Sequence, residues 1–183
     1  MIWLWILIAL AVVVIGTFIY YYNRFVVLDN RISNSLAQID VQLRKRADLV
    51  PSLVKVVKGY AKHEKGIMTE VTKARVQLVR GKNIQERVKA GDNLQNALKS
   101  IFAIAENYPQ LKSNENFLHL QRELSAIEDK VAYSRQFYND SVLSLENASQ
   151  KFPGVMFFKF YGKQGKEYLK IPEASRKMPK IDL

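Results

Sequence analysis

His63 and Glu64 are adjacent, and His-Glu is how a zinc-protease helix begins. That motif needs a second imidazole four residues after the first, so that both face one metal from the same side of a helix. Ile67 occupies the position. The other histidine is His119 and there is no cysteine, so imidazole and thiolate metal sites lack material. Ser52 and Lys55 have the S-x-x-K spacing of enzymes in which a lysine assists a nucleophilic hydroxyl, but no S-D-N or K-T-G sequence follows. Gly162-Lys163-Gln164-Gly165-Lys166 offers backbone amides and cations to a phosphate. It lacks Walker spacing and a preceding strand, and reads as a flexible basic turn. Asp40, Asp48, Glu123, Glu128 and Asp129 fall on predicted helices. A di-iron bundle would pair such carboxylates with Glu-x-x-His, yet Tyr60 and Asn116 stand three residues before the two histidines. Solvated faces or inter-helix ion pairs account for these acids. No catalytic, metal or cofactor residue is assigned, and a non-enzymatic protein is expected.

The elements that would position any site begin with an apolar run. Ile2 to Tyr22 spans 21 residues without a charge. At about 1.5 Å per residue a helix of that length matches a bilayer core of about 30 Å. Trp3 and Trp5 lie at one end and Tyr20, Tyr21 and Tyr22 at the other, as aromatic residues do at membrane interfaces. A cleaved signal peptide has a basic start and a shorter apolar run, so an uncleaved anchor is expected. Arg24, Arg31, Arg44, Lys45 and Arg46 follow the run and no basic residue precedes it. The positive-inside rule then puts the N-terminus outside and the C-terminal domain in the cytosol, on a single-pass protein of the cell (inner) membrane.

From Phe25 onward, apolar residues recur at Leu28, Ile32, Leu36, Ile39, Leu43, Ala47, Val50, Val54, Val57 and Ala61. The mean spacing is 3.6 residues, which is one face of one helix. Pro51 lies within the stripe and does not change its phase, so a kinked but continuous helix is expected there. Gly59 and Gly66 mark a turn. A second stripe follows at Ile67, Val71, Ala74 and Leu78, and Gly81-Lys82-Asn83 ends it. A third runs from Ile84 to Tyr108 and stops at Pro109. Ser113 or Asn114 can cap a fourth, whose inner face runs from Phe117 to Phe152 and ends at Pro153-Gly154. No segment alternates with period two, so strands are not supported. Helices with one apolar stripe pack on each other, and short connections favour antiparallel neighbours. The fold expected is all-α: a transmembrane helix continuing into an elongated antiparallel (up-down) helical bundle.

The end of the chain differs. Val155-Met156-Phe157-Phe158-Lys159-Phe160-Tyr161 is dense in aromatics, and Pro172 and Pro179 discourage a long helix. A helix-poor tail is expected, packing back on the bundle or on another surface. Of the 183 residues 28 are Lys or Arg and 17 Asp or Glu, a net charge of +11. That charge is segregated: net +9 over 23–100, −3 over 101–150 and +5 over 151–183. Basic charge beside a membrane span suits anionic lipid. Aromatics interleaved with Lys159 and Lys163 also suggest a nucleic-acid stacking platform, but no nucleic-acid fold accompanies them, and lipid or a membrane-protein partner is the simpler expectation. Phe157, Phe158, Phe160 and Tyr161 are the candidate interface, because an exposed patch of that size usually meets a partner.

Gln38 to Lys65, QIDVQLRKRADLVPSLVKVVKGYAKHEK, and Glu106 to Asp140, ENYPQLKSNENFLHLQRELSAIEDKVAYSRQFYND, strongly resemble signature blocks of the LemA family of bacterial membrane proteins. Asn23-Arg24-Phe25 and Pro179-Lys180-Ile181-Asp182-Leu183 fit the same pattern, while Leu36 stands where the family usually has Trp. The resemblance implies one N-terminal span and a domain of long antiparallel helices. It attaches no catalytic residues. It implies kinship with membrane-remodelling systems such as magnetosomes, and a link to membrane metalloproteases of the HtpX kind. The domains expected are a 1–22 anchor, a 23–152 helical bundle and a 153–183 aromatic, basic tail. The function expected is a non-enzymatic scaffold for a membrane complex or its own homo-oligomer. The alternatives are an adaptor or regulator of a membrane enzyme such as a metalloprotease, and an enzyme acting at the bilayer surface.

Overall fold

The structure, a computed structural model, describes residues 1–162 and 165–169. It is all-α, with no strand among the described residues. Helix α1 (Ile2–Tyr60) is followed by α2 (Lys65–Arg80), α3 (Ile84–Ala105), the single turn α4 (Pro109–Lys112), α5 (Glu115–Gln150) and α6 (Gly154–Tyr161). The chain divides into two compact units, one made of residues 1–35 and 136–169, the other of Leu36–Arg135.

The first unit contains the apolar N-terminal part of α1, the end of α5, and α6. The apolar run of α1 is long and apolar enough to cross a membrane, and none of its most apolar window is buried by protein. Immediately beyond it, the predicted stripe goes inward at Phe25, Leu28 and Ile32, while Tyr138, Val142, Leu145 and Ala148 of α5 are buried in the same unit. No linker intervenes: Tyr21 and Phe25 are one turn apart on one unbroken helix.

In the second unit the stripe continues inward at Ile39, Leu43, Ala47, Val50 and Val57. Helix α2 buries Met68, Val71, Ala74 and Leu78, and it packs on α3. Asn83 caps α3, its side chain accepting from the Glu86 N–H at 2.8 Å, while a Glu86 carboxylate oxygen accepts from the Lys82 N–H at 2.9 Å. This is a capping-box arrangement displaced by one residue. Asn114 caps α5 as its residue type predicts, accepting from the Phe117 N–H at 3.0 Å.

Helix α1 runs through Pro51 without a break. A proline has no N–H, so the carbonyl one turn earlier, that of Ala47, loses its helical partner. Ala47 is 1% exposed, and water cannot replace that bond. Arg75 of α2 does so: its Nε donates to the Ala47 carbonyl at 2.8 Å. The expected kink site is therefore where a second helix is fastened to the first.

Candidate functional site

The aromatic run Val155–Tyr161 lies on the short helix α6, after which no further helix occurs among the described residues. It follows Pro153, which sits at the N-cap, and ends at Gly162, whose φ of 70° is the left-handed C-cap conformation that glycine adopts most easily. One face carries Gly154, Phe157, Phe158 and Tyr161, spaced as neighbours on a helix surface, and this face packs on α1. Phe157 stacks on Tyr21 at 5.8 Å between ring centroids and meets Phe18 edge-on at 5.8 Å. Phe158 meets Phe25 edge-on at 5.2 Å, and Tyr161 lies 5.6 Å from Phe25 and 5.8 Å from Tyr22. Edge-to-face and offset pairs at these separations are mutually attractive. Gly154 permits the close approach: a Cβ there would collide with the Ala148 carbonyl and lie 2.9 Å from the Tyr21 ring.

The four candidate interface residues thus divide. Phe157, Phe158 and Tyr161 lean on α1, whereas Phe160 is 77% exposed, its ring centroid 6.4 Å from that of Phe18. The segment beyond α6 is held to α5. The Tyr138 hydroxyl donates to the Glu167 carbonyl at 2.8 Å, the Asn139 side chain pairs with both the N–H and the carbonyl of Leu169, and the Tyr168 hydroxyl donates to Glu146 at 2.6 Å. Burial, and then the neighbouring Glu167, push the Tyr138 phenol above its ordinary pKa. Lys166 lies 3.6 Å from the buried Asp29 carboxylate on α1. Lys163 and Gln164 of the expected basic turn, and residues 170–183 with the terminal family pattern, lie outside the described residues.

The second unit holds a different feature, a buried arginine and two further, partly exposed ion pairs between its helices. Arg46 is 1% exposed, donates to the Gly91 carbonyl of α3 at 3.3 Å and pairs with Glu128 of α5. Burial lowers its pKa, and Glu128 opposes that shift. Arg135 of α5 pairs with Asp92 of α3 at 2.6 Å, and Arg87 of α3 with Asp40 of α1 at 2.6 Å. Of the carboxylates marked in the sequence, Asp40 and Glu128 form inter-helix ion pairs, whereas Asp48, Glu123 and Asp129 are exposed. These pairs join α1 to α5, α1 to α3 and α3 to α5.

The residues with catalytic spacing are less well placed. His63 is exposed in the turn after α1. Ser52, Lys55 and His119 line one shallow depression of about 550 Å³ with Tyr60, Asn114 and Asn116. Among the described residues, no hydrogen bond joins Ser52 to Lys55 or His119. Nor do three or more acidic or imidazole side chains converge on a possible metal position.

Residues 35–183 match the sequence model of the LemA family. The chain belongs to the LemA family. Among curated relatives, it is 25% identical to magnetosome protein MamQ of Magnetospirillum gryphiswaldense, over 76% of this chain and 61% of the relative. It is 23% identical to magnetosome proteins MamQ 2 and MamQ 1 of Paramagnetospirillum magneticum, with the same coverage. It spans 61% of the length of these relatives.

Two features of this LemA-family chain were not anticipated from its sequence. Arg46 lies beside Ala47 on the inward face, but a charged residue flanked by Arg44 and Lys45 reads as surface. The only available signal was its position three residues after Leu43, in phase with the stripe. The α6 helix was hidden because its outer face carries a single charge, Lys159, among apolar residues, so there is little polar period to detect.

Proposed function

We propose that this membrane-associated LemA-family protein is a single-pass, non-enzymatic scaffold. It organises a membrane complex or its own homo-oligomer at the inner face of the cell membrane. The observation that carries the reading is the absence of any linker where the apolar run of α1 becomes the packed helix, with Tyr21 and Phe25 both clasped by α6. A domain on a flexible tether samples many orientations. Here the first packed layer is fixed to the end of the span, which suits a protein that presents one geometry to its neighbours. The relatives named as magnetosome proteins fit a membrane-organising role. The basic flank from Arg24 to Arg46 supports a cytosolic C-terminal domain.

Extraction directly into lipid nanodiscs, followed by native mass measurement, tests the reading. A discrete multiple of the 21.1 kDa chain supports a self-assembling scaffold. A single chain with one stoichiometric second polypeptide would instead support the adaptor reading. A reporter fused after Leu183 should behave as cytosolic, and labelling of the C-terminus from outside intact cells would refute the orientation.

A further inference from the structure

The side of helix α6 that α1 leaves uncovered is apolar apart from Lys159. Its inner face, Gly154, Phe157, Phe158 and Tyr161, is satisfied by protein. Its outer face presents Val155, Met156 at 57% exposure and Phe160 at 77%, and Phe152 just before the helix is 79% exposed. Among the described residues, the charges on this short element or within three residues of it are those of the exposed Lys151 and Lys159. A helix that is hydrophobic all round belongs in an apolar environment on both sides. Its depth is set by its partners, since Phe157 and Phe160 both touch Phe18, four residues before the end of the apolar run at Tyr22. Four helical residues correspond to about 6 Å. Interfacial helices bury their apolar face about 5–10 Å into the boundary between headgroups and acyl chains. Long lysine side chains at that depth reach back to the headgroups.

We infer that α6 is a second, interfacial membrane element, with Phe152, Val155, Met156 and Phe160 inserted among the lipids beside the C-terminal end of the span while Phe157, Phe158 and Tyr161 clasp α1. The occupant of the uncovered face is lipid, because that face is continuous with the lipid-facing surface of the candidate span at Phe18. The inference rests on the reading of residues 2–22 as a membrane span.

The chain has no cysteine, so single labels can be placed on the full-length protein without removing native thiols. An environment-sensitive fluorophore is attached at Phe160→Cys, Met156→Cys, Leu10→Cys or Tyr133→Cys in separate samples. The proteins are reconstituted in vesicles of phosphatidylethanolamine and phosphatidylglycerol carrying spin-labelled lipids with the quencher at a shallow or a deep position. Met156 lies on the uncovered face and makes no ring contact with α1, whereas a label at Phe160 gives up the edge contact with Phe18, so two sites guard against one label disturbing the helix. The expected result is strong quenching at both, greater for the shallow quencher, together with strong quenching at Leu10 and little at Tyr133, which is exposed on α5. If Phe160 and Met156 labels behave like Tyr133 while Leu10 is quenched, the α6 inference falls and the span reading stands. If Leu10 also escapes quenching, both fall. Labels that are shielded from water and close to those of a second copy, but unquenched by lipid, would assign the face to self-association and overturn the inference.

Discussion

Replacing Arg75 with Met, in the natural chain and again in Pro51→Ala, measures how far α2 depends on the proline in α1. The Ala47 carbonyl is buried, lacks its helical donor because residue 51 is a proline, and accepts from Arg75 at 2.8 Å. Arg75→Met keeps an apolar stem but leaves that carbonyl unpaired, which costs about 1–2 kcal/mol. In Pro51→Ala the new N–H of residue 51 can bond the carbonyl, so the same Arg75→Met change should cost only about 0.5 kcal/mol. The coupling expected is therefore about 1 kcal/mol. At about 2–4 °C per kcal/mol for a chain of this size, Arg75→Met should lower the melting temperature by about 2–8 °C alone and by about 1–2 °C in the Pro51→Ala background. Circular dichroism melts of the four proteins in one detergent supply the cycle. Independent sites add to within about 0.3 kcal/mol, and additivity at that level would refute the shared-carbonyl reasoning.

Three further expectations follow from particular contacts. Glu128→Ala strands the buried Arg46 guanidinium beside Arg135, whereas Arg46→Met leaves a Glu128 side chain that is 41% exposed and can be hydrated. Denaturant titration should show about 2–3 kcal/mol lost in the first variant and under about 1 kcal/mol in the second, and the reverse order would show that the pair acts otherwise. Gly154→Ala drives a methyl group into the Ala148 carbonyl and against Tyr21, so hydrogen exchange over 154–161 should accelerate while total helicity barely changes; unchanged protection would contradict the close approach. Tyr138 has its pKa raised by burial and by Glu167, so the unfolded chain loses this proton at a lower pH than the folded one. Its stabilising contribution is complete below the ordinary tyrosine pKa and is lost as pH rises through the folded value. Melts from neutral to strongly alkaline pH should therefore show a smaller alkaline loss in Tyr138→Phe than in the natural chain, and equal losses would count against it.

The sequence is most legible where one period governs one face. The stripe from Phe25 to Ala61 predicts most inward positions of α1, although Leu36 and Val54 are only half-buried and Leu53 is buried beside Val54, and Asn114 announces the start of α5 by its capping chemistry. Glycine spacing marks the turn that the structure places after Tyr60. Pro109 reads as a stop, yet it is also the first residue of the short α4, a position where a missing N–H carries no penalty. What could not be read are the contacts made by side chains of ambiguous type. Pro51 announces an orphaned carbonyl, but nothing in the linear order says that Arg75 would serve it. The ion pairs of Arg46, Arg87 and Arg135 join residues 43 to 82 positions apart, a distance at which basic residues on helices are indistinguishable from solvated ones. In α6 the aromatic density signalled a surface in need of cover but left open which rings would find it within the chain. Phe157 and Phe158 rest on α1, so replacing Phe157, Phe158 and Phe160 together by Ser would loosen α6 itself, whereas Phe160→Ser alone addresses the uncovered face.

Counting photobleaching steps of a single-fluorophore fusion in native membranes, at expression low enough to exclude chance overlap, tests the scaffold reading most directly. A self-organising scaffold gives clusters with a reproducible number of steps above one, and Phe160→Ser leaves that number unchanged if α6 faces lipid. A population bleaching in single steps, at every expression level and with no co-isolating polypeptide, would contradict it.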